Sequence, residues 1–455
     1  MKKLLFLSSL FIAWSLISSG QKSDFHSWSP TPPMGWNSWD CYGPTVVESE
    51  VKANADYIAA HLKQFGWQYI VIDIRWYVDN DKAHGYNEKD PSIVLDEYGR
   101  FLPSPVRFPS ATNGAGFKPI ADYIHSKGLK FGIHIMRGIP KEAVKRNTPI
   151  LGSKMKAADI YNTEQLCKWL KDMYTVDAKK EGAQAYYNSL FNLYASWGVD
   201  FIKIDDLSAP YYHLEEIEMI RMAIDQCGRK IVLSTSPGET PVANRDHIAA
   251  NANMWRIVND LWDNWKQLKE EFEVCNRWSS HIGDGHFPDC DMLPLGHIGI
   301  RAERGNDRMS GLTKDEQMTM MTLFAIFRSP LMFGGNLPDN DAFTLSLITN
   351  KEVLYVNQHS AENKQLFNND GKVAWIATDP KSGDKFLALF NIANQVVPNA
   401  EEVKLVSVAL DQLGIKGSCL VTDLWSGKKI GKFKGDFVQN IKPHASGLYR
   451  ISIKK

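Results

Sequence analysis

Two runs decide how this chain reads: Phe201-Ile202-Lys203-Ile204-Asp205-Asp206 and, further on, Trp255-Arg256-Ile257-Val258-Asn259-Asp260. Each is a mostly apolar stretch of strand length that ends in a carboxylate. Runs of this kind are natural buried strands, and a parallel α/β barrel carries its chemistry at the C-terminal ends of such strands. Two aspartates so placed face each other across one cavity. Alternation along the first run puts Lys203 and Asp205 on one face, where the ammonium favours the ionised form of Asp205. A retaining glycosidase needs one carboxylate to attack the sugar carbon and one carboxylic acid to protonate the leaving oxygen. The plainer reading of Asp205 is a buried structural carboxylate paired with Lys203. Asp206, on the opposite face, reads as structural.

Outward from these runs, between about residues 30 and 350, short apolar stretches alternate with longer amphipathic ones, the pattern of repeated βα units. Candidate strands are Gly35-Trp36, Tyr69 to Asp73, Lys130 to Ile135, Phe201 to Asp205, Ile231 to Ser236, Met254 to Val258, Met292-Leu293 and Leu331 to Phe333. Eight strands predict an α/β fold, a closed (β/α)8 TIM barrel over 25–350. Helices are expected at Glu48 to Phe65, Phe117 to Lys127, Gln184 to Trp197, Leu214 to Cys227 and Lys314 to Phe327. The polar stretches Tyr77 to Ser110 and Gly138 to Asp159 are long enough to be active-site loops. Beyond Asn350 the runs shorten and alternate, as in Val373 to Ala377, Phe386 to Phe390, Cys419 to Leu424 and Gly447 to Ile453. Residues 351–455 therefore predict a C-terminal antiparallel β-sandwich domain.

The chain has 455 residues, 44% hydrophobic and 23% charged, with Lys+Arg and Asp+Glu equal at 52 each. Such a composition folds, and its balance of charge points away from nucleic acid and anionic membranes, toward a neutral substrate. Met1-Lys2-Lys3, an apolar stretch from Leu4 to about Ile17, then Ser18, Ser19 and Gly20 form a secretory signal over 1–20, so export to the periplasm or beyond is expected. After its removal no run is long and apolar enough to span a bilayer. The six cysteines (Cys41, Cys167, Cys227, Cys275, Cys290, Cys419) lack metal-ligand spacing, which argues against a zinc site, although an exported protein can pair some of them. Asp73, His134 and Asp205 carry metal-binding groups, but their spacing is explained without an ion, so no metal and no cofactor is expected.

Several segments also carry a resemblance. Thr31-Pro32-Pro33-Met34-Gly35-Trp36-Asn37-Ser38-Trp39 is followed in order by Tyr69 to Asp73, His125-Ser126-Lys127-Gly128-Leu129-Lys130-Phe131-Gly132-Ile133, Lys203-Ile204-Asp205, Trp255-Arg256, Asp289-Cys290-Asp291-Met292-Leu293 and Ser329-Pro330-Leu331. Together they closely resemble glycoside hydrolase family 27, the α-galactosidase and α-N-acetylgalactosaminidase family. The resemblance implies a catalytic barrel followed by an antiparallel β-domain, with Asp205 as nucleophile and Asp260 as general acid/base. It also implies that Trp39, Asp73, Lys203, Arg256 and Asp291 line a sugar pocket.

The departures from the family pattern concern substrate. Where family galactosidases have two adjacent aspartates after the second strand, Asp73 is followed here by Ile74. His134 stands for the usual Tyr, and fits a satisfied barrel histidine as well as a sugar ligand. Ser236, with Pro237-Gly238, replaces a Glu-Trp pair that contacts the sugar 2-substituent, and Arg75 replaces a cysteine. The expected activity is release of terminal α-D-galactose-like residues. β-L-Arabinopyranosidase is the alternative favoured by Ile74, α-N-acetylgalactosaminidase the one favoured by the small Ser236, and a non-catalytic glycan-binding protein the alternative of another class.

Overall fold

Tyr69-Ile70-Val71-Ile72 has no solvent exposure at any position, because it is a central strand covered on both faces. It pairs in parallel with Met34–Asn37 on one side and Lys130–Met136 on the other. Gly35 is required in the first of these: a Cβ there would lie 2.5 Å from the Tyr69 carbonyl oxygen. The computed structural model describes residues 24–393 and 403–452, so the expected signal segment lies outside the described residues. The sheet continues in parallel through Phe201–Asp205, Val232–Thr235, Met254–Arg256 and Phe287–Asp289. In the other direction Met34–Asn37 pairs with Leu331–Phe333, which pairs with Met292–Leu293.

The ring closes through one broken strand. Phe287–Asp289 pairs with the sixth strand, Met292–Leu293 with the eighth, and Cys290-Asp291 joins them with Asp291 in the left-handed region at φ 81°. The apolar pattern showed only the second half of this strand. The first half, Phe-Pro-Asp, carries a proline and a carboxylate and gives no strand signal.

The expected helices form, with the first shorter than its apolar pattern: Glu48–Tyr57 passes into a π-turn over Ile58–Leu62 and a 3-10 turn over Lys63–Phe65. Another, Trp265–Trp278, is capped by Asn264 and buries Leu268, Glu271, Phe272 and Cys275. Helix Lys314–Phe327 starts at a Thr313–Glu316 capping box and is buried almost all round. It lies between the barrel and the C-terminal sheet. Helix Lys351–His359 begins at the expected domain boundary, so the antiparallel part starts only at Ala361.

Six antiparallel strands follow, in the order Ala361–Asn369, Lys372–Thr378, Lys385–Asn391, Ser446–Ser452, Cys419–Asp423 and Lys429–Phe433. One face packs a small core of Ile376, Leu387, Leu389 and Ile451 against the pair Lys404–Ala409 and Asp436–Ile441. The opposite face sends Trp375, Phe386 and Phe390 into the core of the barrel layer, where Phe390 meets Phe272 edge-on at 4.9 Å. No helix of the described residues is long and apolar enough to cross a membrane.

Candidate active site

The C-terminal ends of the strands open into one cavity of about 330 Å³. Trp39, Asp73, Ile74, His134, Lys203, Asp205, Arg256 and Asp260 all line it. Strand register explains the assembly. His134 is level with Lys203, and Lys203 with Ser234, so residues at or just past these positions reach the same mouth.

Asp73 is the centre of the polar wall. Its carboxylate accepts hydrogen bonds from Asn37 Nδ2 at 2.8 Å and from the Ile74 backbone N–H at 2.9 Å, and lies 2.6 Å from His134 Nδ1. Lys203 Nζ pairs with it at 3.2 Å. Burial opposes charge on Asp73, but His134 and Lys203 outweigh it and hold the carboxyl well below the usual range. This corrects the expected Lys203–Asp205 pairing: the ammonium bonds to Asp73, and Asp205 contributes after it to keeping Lys203 charged against the burial.

Asp205 is held from two other sides. Ser236 Oγ donates to Asp205 Oδ1 at 2.8 Å, and His134 Nε2 stands 4.0 Å from Oδ2. Ser236, expected among the substrate-binding residues, is buried and turned to Asp205, and its neighbour Pro237 lines the cavity in its place. His134 Nε2 has no hydrogen-bond partner within the protein, which suits a ring nitrogen that meets a ligand. Asp206 turns away at φ 64° and pairs with Arg137 at 2.9 Å, as its opposite-face position predicts.

On the far wall Arg256 binds Asp260 at 3.1 Å and Asp291 at 2.7 Å. Burial would raise the Asp260 carboxyl; Arg256, with Lys203 and Arg304, outweighs it and lowers it below the ordinary value. Its side chain is still 45% exposed, so bound substrate can change its surroundings. Asp291 was expected to touch the sugar. The broken strand instead buries it behind Arg256, where it also accepts the Leu261 N–H at 2.9 Å.

The mouth is completed by further residues, several of them from loops that strand periodicity does not reveal. Tyr86 stacks obliquely near Trp39, with ring centroids 5.9 Å apart, and Trp169, Asn259, Gln267, Met292, Glu303 and Arg304 line the rest. Tyr86 comes from the long loop after the second strand. That loop is tied down by Arg75, whose Nε and Nη2 donate to the two oxygens of buried Asp172, each at 2.8 Å. An arginine fork thus holds the loop at the position where the resemblance led one to look for a cysteine.

Comparison with known proteins accords with this geometry. The family model for alpha galactosidase A matches residues 170–359, and that for the alpha galactosidase C-terminal beta sandwich domain matches 370–451. Alpha-galactosidase 2 of Arabidopsis thaliana is 26% identical over 433 residues, covering 93% of this chain and 90% of its own. The structure of a family 27 β-L-arabinopyranosidase from Geobacillus stearothermophilus, in complex with arabinose, is 52% identical. It has a TM-score of 0.92 over 96% of this chain and 100% of that one. A putative α-N-acetylgalactosaminidase from Bacillus halodurans is 50% identical, with a TM-score of 0.84 over 93% and 98%. A barrel with two aspartates at one mouth, an attached β-sandwich and relatives that match along nearly the whole length have one common explanation: the chain is a glycoside hydrolase and belongs to glycoside hydrolase family 27.

Proposed function

We propose that this hydrolase is a retaining exo-enzyme that prefers β-L-arabinopyranosides and accepts α-D-galactosides less well. Asp205 attacks the anomeric carbon while Asp260 protonates the leaving oxygen, and Asp260, then a carboxylate, activates the water that frees the sugar. Asp73, Lys203 and Arg256 offer charged partners to the hydroxyls, and Trp39 offers a face to the ring. Because Arg256 lowers Asp260, the free enzyme carries the needed proton chiefly in acid, and burial of Asp260 under the sugar raises its proton affinity.

One observation carries the choice of sugar: Ile74 lines the cavity beside Asp73 and is 2% exposed. β-L-Arabinopyranose has the shape of α-D-galactose without its hydroxymethyl group. An apolar side chain there leaves a galactose 6-hydroxyl without a partner, and arabinopyranose loses nothing. Such an unpaired hydroxyl costs about 1–3 kcal/mol, enough for a tenfold change in preference. The arabinopyranosidase relative supports the same choice. Measured with p-nitrophenyl glycosides, kcat/KM should be highest for the β-L-arabinopyranoside, and Ile74→Asp should move the ratio toward the α-galactoside by about tenfold. A wild-type preference for the galactoside, or a ratio indifferent to Ile74→Asp, would show that Ile74 does not read the sugar.

The α-galactosidase reading is favoured by both family models and is separated by that ratio. The α-N-acetylgalactosaminidase reading is tested by the 2-acetamido glycoside in the same series. The expected amino-terminal signal supports an exported enzyme. N-terminal sequencing of the protein from the producing cell should begin near Gly20 or Gln21, and a chain that retains Met1 would exclude cleavage.

A further inference from the structure

Glu271, Cys275 and Cys290 lie outside the cavity and take no part in the steps above. Glu271 and Cys275 are one turn apart on the buried face of helix Trp265–Trp278, and Cys290 sits at the break in the seventh strand. Their ligand atoms all lie within 4.8 Å of one another, with the two sulfurs 3.3 Å apart. Both cysteines are fully buried and Glu271 is 2% exposed. Glu271 stands where this helix face otherwise presents Leu268 and Phe272 to the core, and its Oε2 has no hydrogen-bond partner. A carboxyl oxygen so placed is costly unless something positive meets it.

We propose that this cluster is a structural binding site for a thiophilic divalent cation of the zinc class, held by the Cys275 and Cys290 sulfurs and a Glu271 oxygen. Two thiolates and a carboxylate form a donor set that suits such an ion. Thiols and a carboxyl give up their protons when they take a metal. Binding releases three protons, one from each thiol and one from the carboxyl, and the assembled site carries one net negative charge. The Arg256 guanidinium is the cation that acts on Glu271 from the next layer. The sulfurs must open to roughly 3.8 Å, the separation of two Zn–S bonds of about 2.3 Å at a tetrahedral angle, and the fourth position is left for water. Spacing along the chain misses such a site, since two donors share a helix turn and the third arrives from a strand.

The ion would pin the helix to the residue before Asp291, the partner of Arg256. To test this, the mature chain is produced with zinc or cobalt in the medium, so that the buried site fills during folding, and bound metal is measured after gel filtration. One equivalent per chain is expected, and cobalt should show thiolate-to-metal charge transfer in the near ultraviolet. Glu271→Gln, Cys275→Ala and Cys290→Ala should each bring stoichiometry and charge transfer close to zero. Glu271→Gln, the nearest in shape, keeps the test alive if a cysteine variant does not fold. Metal-free protein with free thiols, a Cys275–Cys290 disulfide found as a cross-linked peptide, or metal retained by Glu271→Gln would overturn the assignment.

Discussion

Asp260 sits half in water and half against Arg256, and its lowered proton affinity gives the activity a direction with pH. In the proposed role of general acid Asp260 must hold its proton, so kcat/KM should fall as pH rises from the acid range through neutrality. Asp260→Ala should lose about 10²- to 10⁴-fold on alkyl glycosides, far less on activated aryl glycosides, and lose the alkaline decline on the latter. Asp205→Asn should be inactive on both, since an amide cannot form the glycosyl-enzyme. Equal losses on both leaving-group classes in Asp260→Ala would point to another acid. The sequence made these two residues legible because each ends an apolar run within a recognisable motif. It did not reveal that Lys203 bonds to Asp73 or that Ser236 serves Asp205. Those partners follow from the stagger of neighbouring strands, which no single run encodes.

At the level of elements, the broken seventh strand is the part of the barrel that the sequence showed least well. Its apolar half was visible, whereas Phe287–Asp289 pairs through its backbone and carries no strand-like side-chain pattern. The loops that bring Tyr86, Trp169 and Glu303 to the mouth were equally opaque, since periodicity gives a loop its length but not its path. The strand also carries a pH-sensitive group. Burial, reinforced by the charge of Asp291, pushes Asp289 up to about 7 despite Arg256. Its folded pKa lies above the unfolded value of about 3.9, so its stabilising effect is complete below that value and is lost as pH rises through 7. The loss amounts to about 4 kcal/mol at most. Asp206, also raised to about 7, adds in the same direction. Denaturant unfolding should therefore show lower stability at pH 8 than at pH 5, and Asp289→Asn should make that difference smaller. An unchanged difference would remove Asp289 from the account.

For the whole molecule, the barrel and the β-sandwich share one apolar core, in which Trp375 is fully buried and meets Phe327 edge-on at 6.0 Å. Polar contacts cross the same seam: Trp425 Nε1 donates to Thr322 Oγ1 at 2.9 Å, and the His444 ring stacks on Trp265 at 3.9 Å. Trp375→Ala should cost about 3–5 kcal/mol and move one common unfolding transition. Two separated transitions would mean that the seam is weaker than its packing indicates. Both architectures were readable from the change of period near Asn350, because helical and strand periods differ, and the lack of a low-complexity linker pointed to direct packing; which strand face turns to the barrel was not readable, since inward residues on either face of a strand look alike. A last consequence comes from the Arg75–Asp172 fork. A cystine must wait for an oxidant, but a guanidinium closes on its carboxylate as soon as the chain folds. The wall of the sugar pocket can thus be assembled under reducing conditions, and a recombinant chain without residues 1–20 should be active when made in a bacterial cytosol without a disulfide catalyst.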